Sequence, residues 1–230
     1  MIIPISYPMN RSSPLYPGTP PMTINPGKSM AAGDPANTSI ITISSHAGTH
    51  IDAPGHFCPG GKPVSAVLAP ETILAPAVCI DLPREGDAPI AAGDLLPFLP
   101  GIRDAGALLI RTGMYRLRRE DPEMYASRHP WVHPDVPDFL RRHCPNLRLL
   151  GLDVISISTP SHREEGRESH RSFLCGSPPI LLLEDADLSS KRIGSTSFTL
   201  RIYPVVHDDL DGVPVVALAG FQGGAVTDRR

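Results

Sequence analysis

The segment 44–57 reads Ser-Ser-His-Ala-Gly-Thr-His-Ile-Asp-Ala-Pro-Gly-His-Phe and constrains the chain more than any other. Three imidazoles and one carboxylate, His46, His50, Asp52 and His56, fall within eleven residues. All four stand at even positions, so an extended chain turns them toward one face. Gly48, Pro54 and Gly55 oppose a helix. Along a straight strand His50 and Asp52 stand about 6.6 Å apart, a span that two ligands of one ion can bridge, whereas His46 and His50 stand about 13 Å apart. The chain must therefore bend between the two histidines. Gly48 lies at the midpoint and can adopt the positive φ that a bend needs. Imidazole nitrogen and carboxylate oxygen are the usual ligands of zinc and manganese-like ions. The spacing predicts a metal centre, one that either catalyses or only holds its ion.

Composition narrows the function classes. The 230 residues suit a chain that buries a substantial core. A net charge of −3 gives no electrostatic case for nucleic acid. No apolar run reaches the roughly 18 residues of a membrane span. The start, Met-Ile-Ile-Pro-Ile-Ser, lacks the basic and apolar regions of a secretory leader, so a cytoplasmic location is expected. Cys58, Cys79, Cys144 and Cys175 form no CxxC pair, and their wide spacing predicts reduced thiols. With 27 prolines and 20 glycines, turns and ordered loops should outweigh long helices.

Apolar, β-branched runs predict strands over 39–45, 77–82, 107–112, 147–153, 179–184, 199–206 and 214–219. Short helices are expected over 91–98, with Asp94 near the cap, over 136–143 behind Asp135 and Pro137, and from Glu168 to Leu174. The charged stretch 115–134 reads as irregular, with Arg116, Arg118, Arg119 and Glu120 on a solvated face. His129 and His133 have a helical metal spacing, but each precedes a proline, which disfavours the helix and the site. Trp131 is either a packing anchor or a pocket wall. This count of about seven strands against three or four short helices predicts a β-rich, mixed α/β domain covering 1–230.

The segment 46–57, His-Ala-Gly-Thr-His-Ile-Asp-Ala-Pro-Gly-His-Phe, resembles the signature of the metal-dependent cyclase family, which includes arylformamidases and isatin hydrolases. Further matches are Arg111-Thr-Gly113, Gly151-Leu-Asp153 with Ser156, and an apolar strand that ends in Glu184. The resemblance implies a swivelling β/β/α fold, a homodimer or larger assembly, and a small-molecule substrate. By the same match His170 and Glu184 complete the metal site, with His162 a less favoured rival, and Tyr16 contacts the substrate. Asp153 is favoured as structural or as a support behind the ligands, rather than as a ligand itself. The chain departs from the family at 4–6, where Pro-Ile-Ser replaces Asp-Leu-Ser, and at 211–217, where Asp-Gly-Val-Pro-Val-Val-Ala lacks the usual arginine. The interval from His170 to Glu184 is also about two residues longer than the family pattern.

The favoured activity is hydrolysis of a carbon–nitrogen bond in a small amide, formamide or lactam, with arylformamidase activity the leading specific reading. His46, His50 and Asp52 would hold one zinc or manganese ion, and Asp52, His170 and Glu184 a second. His56 is the candidate proton shuttle, because its ordinary pKa suits both directions of transfer. Two rival classes stand beside this: a non-haem iron oxygenase built on two histidines and one carboxylate, and a metal-binding protein without catalysis.

Overall fold

Seven strands close into a barrel in a computed structural model of the chain, which describes residues 1–205 and 208–221. The strands in chain order are β1 (Ile2–Pro4), β2 (Thr23–Pro26), β3 (Ser39–Thr42), β4 (His50–Asp52), β5 (Thr72–Asp81), β6 (Pro89–Ile90), β7 (Ala107–Arg111), β8 (Trp131–Val132), β9 (Leu149–Leu152), β10 (Leu181–Glu184), β11 (Phe198–Pro204) and β12 (Gly212–Gly220). The barrel runs β12-β11-β5-β7-β9-β10-β4, and β4 pairs back onto β12. β1 pairs with the other half of β12. The helices are α1 (Val64–Val67), α2 (Ala92–Leu95), α3 (Leu99–Ile102), α4 (Tyr115–Glu120), α5 (Pro122–Ser127), α6 (Val136–His143) and α7 (Arg163–Leu174).

β5, β7, β9 and β10 are parallel neighbours. Strands covered on both faces read as continuous apolar runs, and Ala107-Leu-Leu-Ile110 and Leu181-Leu-Leu183 are buried along their whole length. The period of two still sorts them. Ile51, Ala107, Leu109, Leu149, Leu181 and Leu183 share one core with Leu200 and Ala217, the barrel interior. Leu108, Ile110, Leu150 and Leu182 share the other, with Phe139 and Leu140 of α6 and Phe173 of α7. Because Ile51 and Leu183 face inward, His50, Asp52 and Glu184 face outward, beneath α7.

The structure corrects the sequence reading in several places. It has more short elements than expected: seven α-helices and twelve strands among the described residues. The stretch 115–127 is two helices. Asp121 starts the second by accepting a hydrogen bond from the Met124 amide at 2.9 Å, with Pro122 in its first turn. α7 begins at Arg163, five residues before the expected Glu168. The strand expected over 39–45 ends at Thr42 and pairs with β2 in a hairpin outside the barrel. The strand read over 199–206 is β11, and its last expected residue, Val206, lies outside the described residues. Asp94 caps α2 as expected, accepting from the Ala91 amide at 2.9 Å. Asp153 is structural, its carboxylate accepting from the Thr112 amide and hydroxyl, each at 2.7 Å, and the Gly113 amide at 3.0 Å.

The expectation of four reduced thiols is also corrected. Cys58 and Cys175 form a disulfide across 117 residues of sequence. It ties the turn after His56 to the C-terminal end of α7. Sequence spacing could not reveal it, because only the fold brings the two segments together. Cys79 and Cys144 are free and buried. Thiol titration of the denatured protein should give two reactive groups without reductant and four after reduction. Four without reductant, in protein purified under air, would contradict the bond.

Candidate metal centre

β4 and β10 pair antiparallel with His50 directly opposite Glu184, and β12 brings Gly212 opposite Asp52. This register gathers the outward-facing groups. His50 Nε2 lies 3.3 Å from Asp52 Oδ1 and 3.4 Å from Glu184 Oε2. His170 Nε2, from α7, lies 3.4 Å from Glu184 Oε1 and 3.7 Å from Asp52 Oδ2. All four side chains are buried. The bend predicted between the histidines is present, with Gly48 at φ +66°.

The histidines are aimed by the backbone. His50 Nδ1–H donates to the Gly48 carbonyl at 2.8 Å, and His170 Nδ1–H donates to the Gly166 carbonyl at 2.7 Å. Both bonds fix the tautomer, so Nε2 is the nitrogen turned toward the carboxylates. Glu184 is fixed in turn: its Oε1 accepts from the Ile157 amide at 2.7 Å and from Ser156 Oγ at 3.1 Å. Ser156 was noted in the sequence only as part of the Asp153 segment.

His46 and His56 sit beside this group. Their rings stack with centroids 3.9 Å apart. Both ring nitrogens of His46 face carboxylates, Nδ1 with Asp52 at 2.8 Å and Nε2 with Asp211 at 3.0 Å. His56 Nδ1 meets the same Asp211 oxygen at 3.0 Å. Asp211 is the residue that sequence reading missed. It appeared only within the Asp-Gly of the segment 211–217, and nothing there signalled its contact with two histidines 165 and 155 residues away. The His46 ring explains the glycine that follows, since a Cβ added at Gly212 would collide with it.

The charges shift together. Burial disfavours the His46 cation, but its bonds to Asp211 and Asp52 outweigh this and raise its pKa to about 10. Burial works against charged His50 and His170 too, and the neighbouring carboxylates raise both. Burial would push the Asp52 carboxyl up, yet its bonds to His46 and His50 hold it well below the usual range. His56 moves the other way: burial, with the His46 and His170 charges, lowers its pKa against the pull of Asp52 and Asp211.

A cavity of about 410 Å³ opens onto these residues. Tyr16 lines it, along with Phe57, Ser44 and Ser158. The histidines set aside in the sequence stay outside the cluster. His162 stacks on Trp131 with centroids 4.8 Å apart and reaches Glu165, His133 pairs with Asp135, and His129 is buried with Nδ1 near the Pro130 carbonyl at 3.1 Å. Trp131 is a packing anchor, 5% exposed, whose Nε1–H donates to the Asp87 carbonyl.

The similarities to known proteins agree with this arrangement. A sequence profile of the Cyclase family matches residues 3–159. The chain belongs to the Cyclase family. Its relatives in that family include a kynurenine formamidase of Bacillus cereus, 32% identical over 217 residues, covering 94% of this chain and 95% of the relative. A kynurenine formamidase of Bacillus thuringiensis is 31% identical over the same shares. The fold is that of isatin hydrolase A from Labrenzia aggregata, solved bound to benzyl benzoate, with a TM-score of 0.75 at 19% identity, over 95% of this chain and 93% of that one. Isatin hydrolase A from Ralstonia solanacearum superimposes with a TM-score of 0.72, also at 19% identity, covering 95% of this chain and 91% of that one.

One clamp behind the cluster overturns the solvated reading of Arg118. Its guanidinium turns inward and grips Asp185 with two bonds, Nε to Oδ1 at 2.6 Å and Nη2 to Oδ2 at 2.8 Å. Tyr125 donates to Asp185 Oδ1 at 2.6 Å, and Arg118 lies 3.6 Å over the Tyr7 ring. Asp185 follows Glu184 directly and takes φ +52°, the one positive φ outside glycine among the described residues. Its carbonyl accepts from Thr49 Oγ1 at 2.6 Å, next to His50. The clamp thus fixes the turns beside two members of the cluster. Arg118→Met should lower unfolding free energy by about 3–5 kcal/mol, the scale for stranding one buried charge. Denaturant titration checks this, and a loss below about 1 kcal/mol would match an exposed pair instead.

Proposed function

We propose that this chain is a metal-dependent hydrolase of the carbon–nitrogen bond in a small amide, formamide or lactam. The observation that carries the reading is the pair of backbone-aimed histidines, His50 and His170, turning Nε2 onto two buried carboxylates. Asp52 Oδ2 is buried and has no hydrogen-bond partner among the described residues. Two buried carboxylates, one with an unpaired oxygen and neither touched by a lysine or arginine among the described residues, suit a bound cation. Donor atoms of His50, Asp52 and Glu184 lie within 4.8 Å of one another, as do those of His46, Asp52 and His56. This donor set fits a divalent ion such as zinc or manganese.

His46, His50 and Asp52 would hold one ion, and Asp52, His170 and Glu184 a second. A divalent ion held there would lower the pKa of a bound water to near 7 and polarise a carbonyl. The chain's own residues supply the rest. His56 lines the pocket, and its depressed pKa keeps it neutral near pH 7, able to accept a proton. Asp211 holds its Nδ1, leaving Nε2 to take a proton from the attacking water and return it to the leaving nitrogen. The carbon–nitrogen bond then breaks, giving a carboxylate and an amine. Tyr16 and Phe57 offer aromatic surface to the substrate. This fits the aryl formamides that the name of the kynurenine formamidase relatives denotes.

Residues 1–230 would form one catalytic domain, assembled as a homodimer or larger. The β2–β3 hairpin favours assembly: Ile40 and Ile41 are 61% and 60% exposed on a two-stranded arm, which is marginal alone in water. Among the described residues no helix is long and apolar enough to cross a membrane. For a cytoplasmic location, the Cys58–Cys175 bond would form only under oxidising conditions.

Two variants separate binding from proton transfer. His50→Ala should lose most bound metal by elemental analysis and nearly all activity. His56→Ala should keep metal and melting temperature but lose about 10²–10⁴-fold in kcat. Full metal in His50→Ala would contradict the ligand assignment, and lost metal in His56→Ala would make His56 a ligand rather than a shuttle.

A further inference from the structure

The pocket contains two cations that the hydrolytic chemistry leaves unused. Arg163 and Arg167 line it together with His170. The three occupy positions i, i+4 and i+7 of α7 and so share one helix face. At a rise of about 1.5 Å per residue, Arg167 stands roughly 4.5 Å and Arg163 roughly 10.5 Å along the axis from His170. The stripe therefore runs from the metal centre to the mouth of the cavity.

Surface arginines on a helix are ordinarily solvated, and two observations set these apart. First, their register places them over the cavity rather than on the far face of α7. Second, their ion pairing is incomplete. Arg167 holds Glu164 at 2.6 Å, but Arg163 has no hydrogen-bond or ion-pair partner among the described residues. The described lining residues give the mouth no anion to offer it. Tyr16, Pro17, Thr19 and Ser44 stand among the lining, and the one carboxylate there, Glu184, is buried at the floor and bonded to Ser156 and Ile157.

We propose that Arg163, with Arg167 beside it, forms an anion subsite, and that the preferred substrate carries a carboxylate roughly 5–10 Å from the scissile carbonyl. This deepens, and rests on, the hydrolase reading above. Arginine suits the task because its planar fork pairs with both carboxylate oxygens. The substrate then spans the pocket, with its reacting carbonyl beneath His170, its ring beside Tyr16 and Phe57, and its anionic end at the first turns of α7.

The test compares 3-formamidobenzoate with formanilide, which differ only in the carboxylate, on the metal-loaded enzyme. The wild type should favour the anionic substrate by about 10- to 100-fold in kcat/KM, mostly through KM. Arg163→Gln should bring that ratio toward one, Arg163→Lys should keep part of it, and Arg163→Glu should invert it. A wild-type ratio near one, or a ratio that Arg163→Gln leaves intact, overturns the subsite while leaving hydrolysis standing. If neither formamide is cleaved, the hydrolase reading falls, and calorimetry with 3-aminobenzoate and aniline still decides the subsite. Tighter binding of 3-aminobenzoate that is lost in Arg163→Gln supports it, and equal binding in both proteins overturns it.

Discussion

The site depends on the register of one three-residue strand. β4 is paired on both sides, with β10 and with β12, and closes the barrel. Because side chains alternate, a slip of one residue would send His50 and Asp52 into the barrel and bring Ile51 out. The burial of Ile51 in the apolar interior makes that slip costly and so holds the two polar groups outward. The same pairing sets Glu184 across from His50 and presses Gly212 against the His46 ring. Register is thus the link between a short sequence motif and a cluster drawn from four separate parts of the chain.

Burying acids on a barrel wall is unfavourable unless each is answered. Two answers lie back to back. Asp185 is answered within the protein, by Arg118 and Tyr125. Asp52 and Glu184 are answered only in part: backbone and Ser156 bonds hold Glu184, histidines face both, and Asp52 Oδ2 has no hydrogen-bond partner among the described residues. One carboxylate pair is therefore faced by imidazoles beside an open cavity, while its neighbour is locked. The locked clamp braces the unlocked pair through Glu184 and Thr49, which holds the cluster in place. Asp211 extends the arrangement outward by holding the two stacked histidines.

Much of this was legible because it is local. The bend at Gly48, the strand ending in Glu184, the α7 position of His170 and the aromatic wall from Tyr16 all follow from short patterns, helped by the family resemblance. The parts that escaped are long-range. Asp211, Arg118 and the Cys58–Cys175 bond act across 155, 67 and 117 residues respectively, and no local period records such contacts. Arg118 was misread because three charged neighbours made the whole stretch look solvated, although one face of a short helix can turn inward. The early start of α7 was missed because Gly166 and the acidic residues around it lack an apolar stripe, and that omission hid Arg163 and Arg167.

The central claim is that the outward face of β4 and β10, covered by α7, holds catalytic metal. The most direct measurement is a crystal structure of the manganese- or zinc-loaded protein with anomalous diffraction collected on both sides of the metal edge. Anomalous peaks are expected with His50 Nε2, Asp52 and Glu184 oxygens and His170 Nε2 at about 2.0–2.3 Å. Full anomalous occupancy elsewhere, with Asp52 and Glu184 more than about 5 Å from any ion, would contradict it.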